Sequence, residues 1–271
     1  MRNTAGALRH VAVFLAAYVL ILFVASVPKG MVPRPFADLV WGTLSASGVL
    51  ALTLWMLRRD RRSRSEIGLE ADSGTAARLL AGVLLGVAVY AATVFLSSVL
   101  LGPIHLTPLA APSVGAWALT VASFLALSCM EELGFRAYAL RTLIPSIGEW
   151  PAQGVTAIAF GAGHLLFGWS WSSVLFGVIP SAILFGVAAV RTGGLSFPIG
   201  LHAAANVASW TIGAKHTPGV WTPSVDPVHE ARVGTFAPFV GLGVTLLVAV
   251  MLARWPEAHG TSSRIQRVES S

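Results

Sequence analysis

The stretch "LALSCMEELGFRAYAL", Leu125 to Leu140, places two glutamates and an arginine (Glu131, Glu132, Arg136) at the end of an apolar run that begins at Trp117. Charges are scarce elsewhere: the 271-residue chain is 55% hydrophobic and 11% charged, with a mean hydropathy of +0.74. Soluble domains carry roughly 25% charged residues, so the composition excludes an ordinary soluble globule and points to a membrane protein. A charge at the bilayer centre costs about 2.5–3.5 kcal/mol on insertion scales, and such residues face a bundle interior and mark function. The stretch thus predicts an all-α, polytopic membrane helix bundle and also the place to look for chemistry.

Working outward, apolar runs long enough to span a bilayer, about 20 residues each, recur along the chain. About eight transmembrane helices are expected, at 8–27, 36–57, 76–101, 114–138, 152–168, 171–190, 195–213 and 234–254. The fifth and sixth are joined so tightly that their hairpin, 152–190, reads either as two full spans or as a re-entrant loop. The first run, Val11 to Val27, outlasts the 7–15 residues of a signal-peptide core and is read as an uncleaved span. Three segments follow: N-terminal spans over 1–113, a polar-bearing core over 114–213, and a last span with a polar, disordered tail over 214–271.

The positive-inside rule orients the bundle. With the N-terminus in the cytoplasm, thirteen basic residues fall inside: Arg2, Arg9, the five arginines of "RRDRRSR" (58–64), Arg78, Arg141, Arg191, Arg254, Arg264 and Arg267. Four fall outside, namely Lys29, Arg34, Lys215 and Arg232. An even number of spans returns the C-terminus to the cytoplasm, as expected of a multi-pass protein of the cell (inner) membrane. The arginine block reads as a topology determinant that also contacts anionic membrane lipid. No block interleaves basic and aromatic residues as nucleic-acid binding would require, and the single cysteine, Cys129, excludes an intrachain disulfide framework.

Within the apolar spans the polar residues concentrate between 131 and 206. On a helix Glu132 and Arg136 are i,i+4 neighbours and can pair as a structural clamp, while Glu131, about 100° further round, is left as the chemically free carboxylate. His164 stands one turn after Phe160, and Asn206 one turn after His202. A carboxylate, two imidazoles and an amide from three spans have the parts for amide hydrolysis. Glu131 and His164 would activate a water, and His202 and Asn206 would donate to the oxyanion. The same set, Glu131, His164 and His202, also resembles a zinc site, so the cofactor reading stays open between none and zinc. The bland alternative is a packed polar cluster in a non-enzymatic immunity or scaffold protein. A proton-coupled transporter is disfavoured because no paired Gly/Pro interruptions recur in two halves. Cys129 reads as a small packing residue, and His105, His216, His229 and His259 as solvated. The aromatic run "FGWSWSSVLF" (Phe167–Phe176) reads as an interfacial belt that borders the site.

The motifs carry a resemblance. "EELGFR" (Glu131–Arg136), "FGAGH" (Phe160–His164) and "HAAAN" (His202–Asn206) resemble the EExxxR, FxxxH and HxxxN motifs of the CPBP family. That family comprises the CAAX proteases and bacteriocin-processing (Abi) proteins. The resemblance covers roughly 114–213. It implies an intramembrane endopeptidase in which Glu131 and His164 activate the water and His202 and Asn206 form the oxyanion hole. Glu132, Arg136 and Phe160 would support the site. The family has been described both as metalloproteases and as glutamate proteases. Its eukaryotic members remove the last three residues of prenylated proteins, so the implied partner is a membrane-associated or lipidated peptide or protein. Leu133, Gly134 and Ala137 depart from the family's usual residues without removing a chemical group; Gly134 is expected to loosen the helix beside the carboxylates.

Overall fold

The computed structural model describes residues 4–109, 112–215 and 219–256. The polar tail beyond Pro256, with His259, Arg264 and Arg267, lies outside them, as do Arg2 and His216. Among the described residues eight helices run back and forth: α1 (Thr4–Met31), α2 (Arg34–Asp60), α3 (Thr75–Leu101), α4 (Val114–Ile147), α5 (Glu149–Leu166), α6 (Trp171–Arg191), α7 (Ser196–Thr211) and α8 (Pro227–Ala253). The architecture is the expected all-α membrane bundle.

Six of the eight, all but α5 and α7, are long and apolar enough to cross a membrane. The other two have 18 and 16 residues, or about 27 and 24 Å at 1.5 Å per residue, against a hydrocarbon core of about 30 Å. These two short helices carry His164, His202 and Asn206. α7 is shielded along its whole length, whereas α5 shows Trp150, Ile158 and Leu166 at the surface, and the charges Glu131, Glu132 and Arg136 sit on the long helix α4.

The region 214–233 also differs from the long loop expected. Residues Trp221–Val225 form strand β2, antiparallel to β1 (Ile104–Pro108), with Ile104 opposite Val225 and Pro108 opposite Trp221. Helix α8 then starts at Pro227 rather than near 234, its proline at the first turn, where the missing N–H has no helical partner to lose. A two-stranded ribbon contributes little apolar periodicity, so nothing in the hydrophobic pattern announced it.

The two ends of the bundle separate by charge. At one end Arg62 donates to the Thr142 hydroxyl at 2.7 Å, Arg191 meets Glu149 at 3.2 Å, and Thr4 reaches the Ser146 carbonyl at 3.3 Å. The arginine block, Arg141, Arg191 and the end of α8 belong to this end. The ribbon, the α1–α2 turn with Lys29, and Lys215 lie at the other. The core between α1, α2 and α4 is built on Phe14, Val49, Met56, Tyr138, Leu140 and Leu143, all fully buried. The Tyr138 hydroxyl caps it by donating to Asp60 at 2.6 Å.

Glycines let α3 and α7 pack backbone to backbone, as membrane helices do where small residues face each other. A Cβ on Gly86 would stand 2.5 Å from the Leu201 carbonyl oxygen, and one on Gly82 or Gly200 would overlap the Phe197 or Leu79 carbonyl. Leu201 adjoins His202, so this contact sets the depth and rotation of the histidine. Gly86→Leu is expected to lower stability by about 1–3 kcal/mol or more through overpacking. Thermal unfolding in detergent reads it, with the surface change Gly30→Leu as the neutral control.

Candidate functional site

Helix α4 is not uniform where it meets the charges. It is α-helical over Val114–Glu132, π-helical over Leu133–Ala139, and α-helical again over Leu140–Ile147. Every residue of the π segment is buried. A π turn widens the helix and re-aims side chains, and such turns are frequent at functional sites. Gly134 makes room at this point: a Cβ there would come within 2.5 Å of the Tyr18 ring, which packs edge-on against Phe135 at 5.3 Å.

The Glu132–Arg136 clamp is present, with Nη1 3.3 Å from Oε1 and both side chains essentially without solvent contact. Arg136 also donates to the Ala182 carbonyl at 3.0 Å. Its guanidinium is enclosed by the rings of Phe160, Phe185 and Phe135 at 4.7, 5.5 and 5.8 Å. Phe160 is thus a support for the arginine as well as the residue one turn before His164.

Glu132 does more than brace. Its Oε1 lies 2.9 Å from Nδ1 of His202, while the other ring nitrogen, Nε2, lies 3.3 Å from Oε2 of Glu131. The imidazole therefore bridges the two adjacent glutamates, and Phe185 stacks on it at 4.4 Å with 19° between planes. Glu131 is accordingly not the free carboxylate that helical spacing suggested, because spacing within one helix cannot register a histidine arriving from another. The two glutamates still differ as expected: the Glu131 side chain keeps 20% of its surface exposed and that of Glu132 none.

His164 joins the group through rings. Its Nδ1 is 3.0 Å from the Phe160 carbonyl oxygen, so the nitrogen bonding there donates, leaving Nε2 as the acceptor. Its ring packs on Phe160 at 4.6 Å and edge-on to Trp169 at 5.0 Å, and Phe160 in turn faces His202 at 6.3 Å. Asn206 joins through a residue the motifs did not indicate: its Oδ1 accepts from Lys215 Nζ at 2.8 Å. That ammonium also lies 5.5 Å from the centre of Trp169 and 5.8 Å from Phe124. Burial lowers the pKa of Lys215, while the charge of Glu131 acts in the opposite direction. All four expected residues thus gather around Phe160 and Trp169.

Lys215, Trp169, Phe185 and Tyr18 complete the surroundings. Trp169 was legible only as part of an aromatic run whose rings are all partly exposed: Phe167 and Trp171 more so, and Trp169 with 39% of its surface exposed while its ring packs edge-on to His164. Lys215 left one faint signal, being one of only two lysines in a chain with sixteen arginines. Cys129 borders an apolar cavity of about 330 Å³ together with Leu54, Leu133 and Ile199, consistent with a packing role. His105 is largely exposed, 3.5 Å from Asp226.

A zinc site made of Glu131, His164 and His202 is not assembled. Among the described residues no three His, Cys, Asp or Glu side chains gather as metal ligands. Both nitrogens of His202 face carboxylates and leave it no lone pair for an ion, so of the two histidines only His164, through Nε2, keeps an acceptor. The donor set as placed therefore does not fit the ion, and no step below runs through one.

Residues 111–208 match the model of a protein family described as type II CAAX prenyl endopeptidase Rce1-like. This segment is Rce1-like. It contains Glu131, Glu132, Arg136, Phe160, His164, His202 and Asn206, and stops short of Lys215. A search of curated proteins gave no match. The Rce1-like family is one of CAAX-type intramembrane endopeptidases, which agrees with the six membrane-length helices among the described residues, two of them within the segment.

The Arg136 environment generates a stability prediction. Removing one partner of a buried ion pair costs about 3–5 kcal/mol, so Arg136→Met should destabilise the fold by that order, since it strands Glu132 against His202. Denaturant titration in detergent measures it, and a change below about 1 kcal/mol would mean that the pair is solvated.

Proposed function

We propose that the chain hydrolyses a peptide bond of a membrane-associated or lipidated peptide or protein, using a water activated by Glu131 and His164. The observation that carries this reading is the His202 bridge between paired glutamates, inside the segment that matches the endopeptidase family. Glu131 is the more exposed carboxylate and is the general base, while His164 offers Nε2 as an acceptor for the same water. The water oxygen bonds to the scissile carbonyl carbon and its proton passes to Glu131. The carbonyl oxygen becomes an oxyanion, which Asn206 stabilises as a donor together with the Nε2–H of His202, released from Glu131 once that carboxylate has taken the proton. Collapse breaks the C–N bond, and the proton moves from Glu131 to the leaving amine.

The supporting residues follow from the same contacts. Glu132 holds Nδ1 of His202 and so sets which edge of the imidazole meets Glu131. Arg136 neutralises Glu132 within its ring of three phenylalanines. The arginine-rich end of the bundle is the cytoplasmic one by the positive-inside rule. Both termini then lie on the cytoplasmic side of the cell membrane, and anionic lipid contacts the block around Arg62.

Two outcomes test the reading. Purified protein in detergent or liposomes should cleave members of a fluorogenic peptide panel that includes lipidated peptides. Glu131→Gln should lower kcat by about 10²-fold or more, the usual effect of losing a general base, with an unchanged melting temperature. A wild-type protein that cleaves none of the panel, or a Glu131→Gln variant as active as wild type, overturns it. Because both nitrogens of His202 face carboxylates and offer a metal no lone pair, chelation by 1,10-phenanthroline should leave the rate unchanged. Loss of activity restored by added zinc would contradict that.

A further inference from the structure

The chain uses arginine sixteen times and lysine twice, and its two lysines behave oppositely. Lys29 pairs with Asp38 at 2.8 Å, both side chains well exposed. Lys215, four residues beyond the end of α7, turns inward instead, onto Asn206 and between Trp169 and Phe124. Drawing an ammonium off the surface is unfavourable without compensation, and here the compensation is one amide oxygen, two ring faces and the nearby charge of Glu131.

That geometry has a specific consequence for the amide. The two ends of an asparagine side chain are nearly equal in shape, and their neighbours decide which is which. An ammonium has three donors and no acceptor, so the end facing Lys215 must be Oδ1. The NH2 end is then presented away from Lys215 as a donor. We propose that Lys215 is a positioning residue: it fixes the Asn206 amide with its NH2 towards the reacting carbonyl. This rests on the peptidase reading for its catalytic meaning, but the orientation of Asn206 stands on the contact alone. Arginine is a poorer choice at this position because its planar fork takes two acceptors side by side, whereas Asn206 offers one. A compact ammonium matches a single oxygen and still rests on the Trp169 face.

The experiment has two arms on the full-length protein. In the kinetic arm, Lys215→Met should lower kcat about tenfold or more while leaving KM unchanged, a smaller effect than the 10²–10³-fold expected for an oxyanion donor itself. Lys215→Arg should recover part of the loss. If Lys215 acts through Asn206, the double variant Asn206→Ala with Lys215→Met should be no slower than Asn206→Ala alone. An unchanged kcat in Lys215→Met, or losses that multiply in the double variant, overturns the proposal.

The second arm needs no activity. The chain has two asparagines, Asn3 and Asn206, so ¹⁵N-asparagine labelling gives only two side-chain NH2 signals. Lys215→Met should shift the Asn206 pair and leave that of Asn3 in place, with Lys215→Arg intermediate. An Asn206 pair that does not move contradicts the positioning role even if no substrate is ever found. An absence of cleavage by the wild type with a clear NMR shift faults the peptidase reading alone.

Discussion

One imidazole held between two neighbouring carboxylates organises this bundle. His202 comes from α7 and the glutamates from α4, so the bridge fastens two helices far apart in sequence. Burying two acidic side chains in a membrane interior is costly unless every charge is met. The neighbouring parts of the structure supply what is needed: Arg136 against Glu132, the Ala182 carbonyl against Arg136, and three phenylalanine rings around the guanidinium. The π segment after Glu132 and the glycines that bring α3 against α7 are backbone adjustments that let these side chains meet.

This arrangement divides rigidity from reactivity. Glu132 and Arg136 are sealed, and Phe185 lies flat on the histidine, so one edge of the ring is fixed. Glu131 keeps partial exposure at the other edge, where a water and a substrate carbonyl could enter. An active site needs both properties, since a base must be held in place yet remain reachable. The short length of α7 suits the same division, because a helix shielded by longer neighbours can carry polar groups without presenting them to lipid tails.

Much of this was legible in the sequence. Composition alone gave a polytopic bundle, and the basic asymmetry sorted the loops onto two ends that the structure keeps apart. The i,i+4 rule found the Glu132–Arg136 pair, and the three motifs contain Glu131, His164, His202 and Asn206 but not Trp169, Phe185 or Lys215. What escaped was each contact between helices. Spacing along α4 made Glu131 look free because His202 arrives from α7, far along the chain. Lys215 escaped for a similar reason: it sits in a loop outside any motif, and only the fold returns it to Asn206. The ribbon β1–β2 was missed because its five-residue strands are mostly exposed and carry no buried face to read.

A single turnover in ¹⁸O-labelled water, followed by mass spectrometry of product and enzyme, tests the central claim most directly. If Glu131 acts as a base on water, one ¹⁸O should enter the new carboxylate of the cleaved peptide and none should enter Glu131. Label in the Glu131 side chain would mean that the carboxylate itself attacked the peptide, and would contradict the account.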